Sequence, residues 1–137
     1  MNAPASDDFQ LINATTADVV VPRLNLAVTF LTRFKGLQFR RELPPDEGLL
    51  IAPCRSIHTH WMRFSIDVLM LSQDGTVLEL RPDMRPWRTY SGPREAAAVL
   101  EVPAKSAAVQ IGDRLAVMAP PGRSLPERLQ AMRAPGP

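Results

Sequence analysis

The residue types that most often carry chemistry in proteins are concentrated between Cys54 and Asp67. This stretch holds the single cysteine, both histidines and one of the two tryptophans of the 137-residue chain, and it ends in a carboxylate just before an apolar run. His58 and His60 are two residues apart, so on a strand their side chains point to the same face. The sequence therefore predicts that a functional site, if the protein has one, lies here.

A favoured prediction for this site is a polar pocket that holds a small polar ligand or a peptide segment. Its five members are His58, Thr59, Trp61, Arg63 and Asp67. Thr59 would donate and accept hydrogen bonds, Arg63 would favour an anion, and Trp61 would stack on the ligand. Asp67 would fix its orientation. This prediction includes no catalytic residue, no metal and no cofactor, and it describes a non-enzymatic binding or accessory module.

An enzymatic alternative uses the same stretch. Two imidazoles on one face can begin a metal site, with Asp67 or Cys54 as a third ligand. Cys54 and His58 could instead form a nucleophile–base pair. The sequence lacks a ligand spacing such as H-E-x-x-H and shows no glycine motif for an oxyanion hole. The alternative is thus a small metal-dependent or cysteine/histidine hydrolase that uses His58, His60, Asp67 or Cys54. A third class is a purely structural interaction partner.

Three charged residues also have a structural interpretation. A buried carboxylate is costly unless it is paired or hydrogen-bonded, so Asp67 would tie down a turn or pair with Arg40 or Arg63. A buried arginine–carboxylate bridge that holds the end of a helix to a sheet would explain both Arg40 and Glu101.

Further along the chain, aromatic and guanidinium groups suggest a rim around a pocket mouth. Such rims suit sugars, planar ligands or protein partners, and they also cover the open end of a sheet. The members are Trp61, Trp87, Tyr90, Arg85 and Arg88.

The composition is that of one globular domain, with 45% hydrophobic and 22% charged residues. A net charge of +2 and only 6% aromatic residues do not suit a nucleic-acid surface. One cysteine excludes an intrachain disulfide. No apolar run approaches the ~20 residues that span a bilayer, and residues 1–10 lack the features of a secretory signal. We therefore expect a cytoplasmic protein without nucleic-acid or membrane partners, which binds an unknown small ligand or protein.

The elements that position these residues must be short, because fourteen prolines are many for this length. Apolar runs predict about six or seven strands, and Asp74-Gly75 between two of them predicts a hairpin. One helix, which stops at Gly36 and has Arg33 in its last turn, presents an apolar face made of Ala27, Phe30, Leu31 and Phe34. We predict an α+β, mainly β fold: a curled antiparallel sheet or half-open barrel with one main helix.

Five ordered blocks of the chain resemble motifs of the DUF192 family, also called UPF0127. The family's G-L-M-x-R, G-M-L-F, I-H-T-x-x-M-x-x-P-I-D, V-L-E-L-x-A-G and G-D are similar to residues 36–40, 48–51, 57–67, 99–104 and 112–113. The resemblance covers about residues 24–118 and implies a small β-rich domain of unknown molecular function. Three residues depart from the pattern: Gln38 replaces Met, Ser65 replaces Pro, and Lys105 replaces a Gly that permits more φ values.

Together, these observations divide the chain into three parts. Residues 1–15 are expected to be a flexible N-terminal segment, residues 16–119 a DUF192-like domain, and residues 120–137 a loosely held tail rich in proline and glycine.

Overall fold

The structure, a computed structural model, describes residues 7–38 and 40–135. In this part the chain forms nine strands, one short α-helix and one 3-10 helix. In chain order they are β1 (Phe9–Asn13), β2 (Val19–Ala27), α1 (Phe30–Lys35), β3 (Glu47–Ile51), β4 (Ser56–His58), β5 (Ile66–Leu71), β6 (Val77–Met84), β7 (Thr89–Ser91), β8 (Ala98–Pro103), β9 (Leu115–Met118) and the 3-10 helix (Glu127–Met132). Neither helix in this part reaches the length and apolarity of a membrane-spanning helix.

Seven of the strands form one curled sheet in the order β6-β5-β8-β3-β2-β1-β9, and β4 pairs with β7 in a second, two-stranded sheet. All neighbours are antiparallel except β2 and β3. The two edges of the large sheet approach each other, since the Val77 N–H donates to the Asp113 carbonyl and the Leu115 N–H donates to the Gly75 carbonyl, both at 2.8 Å. The predicted mainly β, half-open barrel is confirmed.

The hairpin predicted at Asp74-Gly75 joins β5 to β6. Gly75 has a φ of +90°, and a Cβ built on it would lie 2.0 Å from the carbonyl oxygen of Leu115. Only glycine fits this turn, because a side chain would meet both backbone strain and the neighbouring loop.

The buried apolar residues form two clusters, one on each face of the sheet. The inner cluster joins residues from both edge strands, including Val77 and Val117, so it fills the concave side. The outer cluster includes Val68 and Val99 and is covered by the small β4–β7 sheet through Ile57 and Tyr90. Side chains alternate between these two faces along each strand.

Both ends of the described chain join the inner cluster. β1 pairs with β2 and with β9, and its Leu11 is fully buried. After β9, Leu125, Leu129 and Met132 pack against the same cluster. The structure therefore places residues 9–13 in the sheet and much of the proposed tail against the core. The three-part division itself stays a prediction, and residues 1–6 and 136–137 lie outside the described residues.

The helix α1 ends at Gly36 as predicted, but it begins at Phe30, and Ala27, which the sequence assigns to the helix, instead ends β2. Thr29 caps its N-terminus in a reciprocal capping box with Thr32, and Gly36 ends it with a φ of +50°. Ala27 of the predicted apolar face is buried. The other three members, Phe30, Leu31 and Phe34, have side chains outside the described residues.

Candidate functional site

Asp67, at the start of β5, is buried and holds three backbone groups. One of its oxygens accepts hydrogen bonds from the N–H groups of Asp83 at 2.8 Å and Lys105 at 3.0 Å, and the other accepts from Ala107 at 3.1 Å. Asp67 thereby ties β6 and the turn after β8 to β5. Its described partners are backbone groups rather than Arg40 or Arg63, in agreement with the interpretation that it ties down a turn.

Lys105, whose N–H donates to Asp67, has an unusual backbone conformation. Its φ is +65°, in the left-handed region that favours glycine. The residue keeps this conformation although the family resemblance would place a glycine here. We attribute this to the turn, which directs the Lys105 N–H toward the Asp67 carboxylate.

Asp67 and His58 do not share a pocket. On the paired strands β5 and β8, Asp67 is opposite Val102, and Val68 is opposite Glu101. Val102 belongs to the inner cluster and Val68 to the outer one, so Asp67 and Glu101 point to opposite faces of the sheet. A cavity beside His58 is lined by Glu101 on the outer side. The expectation that His58 and Asp67 converge on one hollow is therefore wrong, and Glu101 supplies the carboxyl group there.

Thr59 is fully buried, and its hydroxyl is used within the protein. The hydroxyl donates to the Arg85 carbonyl at 2.6 Å and accepts from the Arg88 N–H at 2.9 Å. Its backbone carbonyl accepts from the Trp87 N–H at 3.1 Å. Thr59 thus joins the loop after β4 to the loop before β7, while Arg63 is exposed.

The loops that Thr59 joins carry a row of rings, which we call the aromatic row: Trp61, Trp87, His60 and His58. The two tryptophans are 55% and 53% exposed, meet edge to face at 4.8 Å, and both have left-handed φ values. The His60 ring centroid lies 5.3 Å from that of Trp87 and 4.8 Å from that of His58. The row leads from the exposed tryptophan pair to the cavity beside His58.

The other members of the predicted rim lie elsewhere. Tyr90 is buried and donates its hydroxyl hydrogen to Glu79 at 2.5 Å. Burial and this carboxylate raise the pKa of Tyr90 to about 12. Arg85, Arg88 and Tyr90 together line a separate surface hollow of about 380 Å³.

The cavity beside His58 has a volume of about 110 Å³ and lies between the end of α1, the segment after β3, and β8. Apolar side chains form part of its wall: Leu37, Ile51, Ile57 and Met62. The polar and charged residues that line it are Arg33, Lys35, Gln38, Cys54, Ser56, His58 and Glu101. The cavity thus combines cationic and acidic residues on an apolar framework.

Glu101 is the most unusual of these groups. It is only 4% exposed, and its Oε2 has no hydrogen-bond partner among the described residues. Burial raises the pKa of this carboxyl to about 7. The expected bridge between Arg40 and Glu101 is not formed. Instead, the Arg40 guanidinium binds both carboxylate oxygens of Glu47, at 3.0 and 3.2 Å, and lowers the pKa of Glu47.

Arg33 and Cys54 line the same cavity. The Nη1 of Arg33 donates to the Pro53 carbonyl at 3.0 Å, but its buried Nε has no partner in the described part of the chain. The Cys54 thiol donates to the Ser56 carbonyl at 3.3 Å. Burial, with a further contribution from the charge of Glu101, raises the pKa of this thiol. The protonated thiol is therefore favoured, which is unlike an activated nucleophile.

In the described part of the chain, no third metal ligand accompanies the two histidines. Their rings are adjacent, as their spacing predicted. Within residues 7–38 and 40–135, however, no group of three histidine, cysteine or acidic side chains could hold a metal ion.

Comparison with known proteins places this chain in a family. One family model, described as "Uncharacterized ACR, COG1430", matches residues 11–117. The chain belongs to the DUF192 family. A UPF0127 protein of Pyrococcus furiosus is 31% identical over 77% of this chain and 95% of the relative. One from Thermococcus sibiricus is 36% identical over 68% of this chain and 62% of its own length. The predicted resemblance is confirmed, and the family has no established molecular function.

Two solved structures resemble this DUF192 chain. A protein of unknown function from Novosphingobium aromaticivorans DSM 12444 aligns with a TM-score of 0.68 at 23% identity, over 78% of this chain and 81% of that one, and shows the fold alone. A proposed transcription regulator from Sinorhizobium meliloti 1021 aligns with a TM-score of 0.69 at 26% identity, over 85% of this chain and 98% of that one.

The sequence gives only partial signals for two cavity residues. A structural role is predicted for Glu101, although a lone carboxylate within the apolar strand β8 is also a sign of an unusual buried acid. Arg33 is predicted only as a cation that suits the end of a helix. No local pattern links Arg33 to Glu101, because only the tertiary fold brings the two residues to one cavity.

Proposed function

We propose that this protein is a non-enzymatic binding module that holds a small polar ligand in the cavity between His58 and Glu101. One observation carries the proposal: a carboxyl group that is 96% buried lines a cavity and has an oxygen without a partner in the described residues. Leaving such a group unpaired costs about 1–3 kcal/mol. A ligand with an N–H or O–H group would offset this cost, whereas an apolar ligand would not.

The five residues predicted from the sequence take different parts in this proposal. His58 contacts the ligand at the cavity wall, and Trp61 belongs to the aromatic row that leads to it. Thr59 acts indirectly, because its hydrogen bonds hold the loops that carry the aromatic row. Asp67 stabilises the fold from the opposite face of the sheet. Arg63 is exposed and is not among the residues that line the cavity.

The hydrolase alternative has less support. A nucleophilic cysteine needs a lowered pKa, whereas burial raises that of Cys54 and its S–H donates to a backbone carbonyl. The row of rings also offers no third metal ligand within the described residues.

The reactivity of Cys54 provides a direct test, since this cysteine lines the cavity and is the only one in the chain. The rate of its alkylation by iodoacetamide is measured at pH 8 with three probes: methylammonium, acetamide and acetate. We expect methylammonium and acetamide each to slow alkylation at least threefold. The effect of methylammonium should be lost in Glu101→Gln and kept in Glu42→Gln, a matched change at an exposed position. An unchanged rate with all three probes would refute the proposal.

A further inference from the structure

We infer that the cavity selects a small zwitterion, namely a free α-amino acid with a short side chain, whose ammonium group binds Glu101 and whose carboxylate binds Arg33. This inference rests on the proposed function and adds the chemical class of the ligand.

Two buried atoms of opposite hydrogen-bonding type carry the inference. Among the described residues, the side-chain atoms that are buried without a partner are Oε2 of Glu101, an acceptor, and Nε of Arg33, a donor. Both residues line the same cavity. Buried polar groups in native proteins are almost always paired. Two unpaired groups at one cavity therefore point to a ligand that donates at one end and accepts at the other.

Charged residues of both signs line this cavity. Arg33 and Lys35 come from α1, and Glu101 comes from β8. Burial raises the pKa of Glu101 to about 7, and none of the described residues donates a hydrogen bond to its Oε2. The charges of both Glu101 and Arg33 affect the pKa of the Cys54 thiol, so the thiol lies within electrostatic range of both groups and reports on a molecule bound at the cavity.

The size of the cavity limits the ligand. Its volume of about 110 Å³ is several times the ~30 Å³ that one water molecule occupies in the liquid. It accommodates a few non-hydrogen atoms, which suits glycine, alanine or serine. The apolar wall formed by Leu37, Ile57 and Met62 offers a surface for a short aliphatic side chain.

Pairing both groups also explains why a singly charged ligand would bind less well. A cation alone satisfies Glu101 and leaves the Nε of Arg33 buried without an acceptor, and an anion alone leaves Glu101 unpaired. Sites built to hydrogen-bond a ligand reject analogues that lack one partner, because the protein group is then left desolvated.

The test uses protection of Cys54 from iodoacetamide in the full chain at pH 8, titrated with glycine, methylammonium and acetate. We expect glycine to protect with an apparent Kd at least tenfold below that of either single-charge probe. Arg33→Gln should weaken glycine and acetate about tenfold and leave methylammonium unchanged. Glu101→Gln should weaken glycine and methylammonium and leave acetate unchanged. The matched controls Arg41→Gln and Glu42→Gln, at exposed positions, should change none of the three.

The outcomes separate this inference from the proposed function. If methylammonium protects as well as glycine, or if Arg33→Gln does not weaken glycine, the zwitterion is excluded while the polar cavity stands. If none of the probes protects Cys54, both proposals are refuted. Arg33 lies at a partly exposed position of α1, so its variant keeps the inference testable even if Glu101→Gln does not fold.

Discussion

Asp67 on β5 and Glu101 on β8 are buried carboxylates on neighbouring strands, and their surroundings differ sharply. Asp67, 2% exposed, points to the inner face and accepts three backbone hydrogen bonds. Glu101, 4% exposed, points to the outer face, has an unpaired oxygen among the described residues, and has a pKa raised to about 7. The sheet therefore separates a satisfied carboxylate from an unsatisfied one.

Burial alone does not indicate the role of a carboxylate. Both groups are buried, but only their hydrogen-bond partners distinguish the one that stabilises the fold from the one that lowers its stability. A buried group without partners is a candidate for a binding role because a ligand can supply what the protein does not. Asp67 is accordingly part of the scaffold, and Glu101 is the centre of the proposed site.

The sharpest test of this contrast removes the satisfied carboxylate. Asp67→Ala is expected to lower the free energy of unfolding by about 3–5 kcal/mol, because three part-buried N–H groups lose their buried acceptor. Asp67→Asn keeps the shape and one acceptor oxygen, so a loss of about 1–3 kcal/mol is expected. Urea denaturation of both variants measures the effect. A wild-type midpoint for Asp67→Ala would show that these hydrogen bonds do not hold the fold together.

Replacing Glu101 is expected to raise, rather than lower, the free energy of unfolding at alkaline pH. Its folded pKa of about 7 lies above the ordinary value, so the folded chain keeps a proton that the unfolded chain releases. The stability from this proton is fully present below pH ~4.3 and is lost as the pH rises through about 7. Between pH 5 and pH 8 we expect a loss of roughly 2–3 kcal/mol.

The variant Glu101→Gln isolates this contribution, because an amide does not titrate. Urea denaturation at pH 5 and at pH 8 should show that the variant loses less stability between these pH values than the wild type does. At pH 8 the variant should be the more stable of the two. The same pH dependence in both proteins would mean that Glu101 is not the group responsible.

Thr59 and His58 are adjacent residues that also differ in role: Thr59 stabilises the fold, whereas His58 belongs to the proposed site. Thr59→Val removes the hydroxyl that bonds to Arg85 and Arg88, so we expect a loss of about 1–3 kcal/mol. His58→Ala changes an exposed side chain and should alter stability by at most ~0.5 kcal/mol. Thermal denaturation of the pair checks this order, and a larger loss for His58→Ala would reverse the roles proposed for the two residues.

A small gain in stability is expected at the turn that donates to Asp67. Lys105→Gly relieves a left-handed φ of +65°, and we expect a gain of about 0.5–1 kcal/mol after the greater flexibility of glycine in the unfolded chain is counted. Lys105→Ala removes the same side chain but keeps the strain, so it should give no gain. Equal melting temperatures for the two variants would argue against strain at this turn.

Local patterns in the sequence suffice for the general architecture and for the neighbourhood of the site. Apolar runs separated by turn residues specify short strands, and Asp74-Gly75 specifies a hairpin, because these signals are local. Gly36 likewise marks the end of α1. The stretch from Cys54 to Asp67 stands out because it contains most of the chemically versatile side chains.

Which of these groups meet depends on the tertiary fold. Side chains on a strand alternate between two faces, so the register of β5 against β8 sends Asp67 inward and Glu101 outward. The fold also brings Arg33, at the end of α1, to the same cavity as Glu101. Such choices depend on contacts between residues far apart in the chain, which the local patterns of the sequence do not encode.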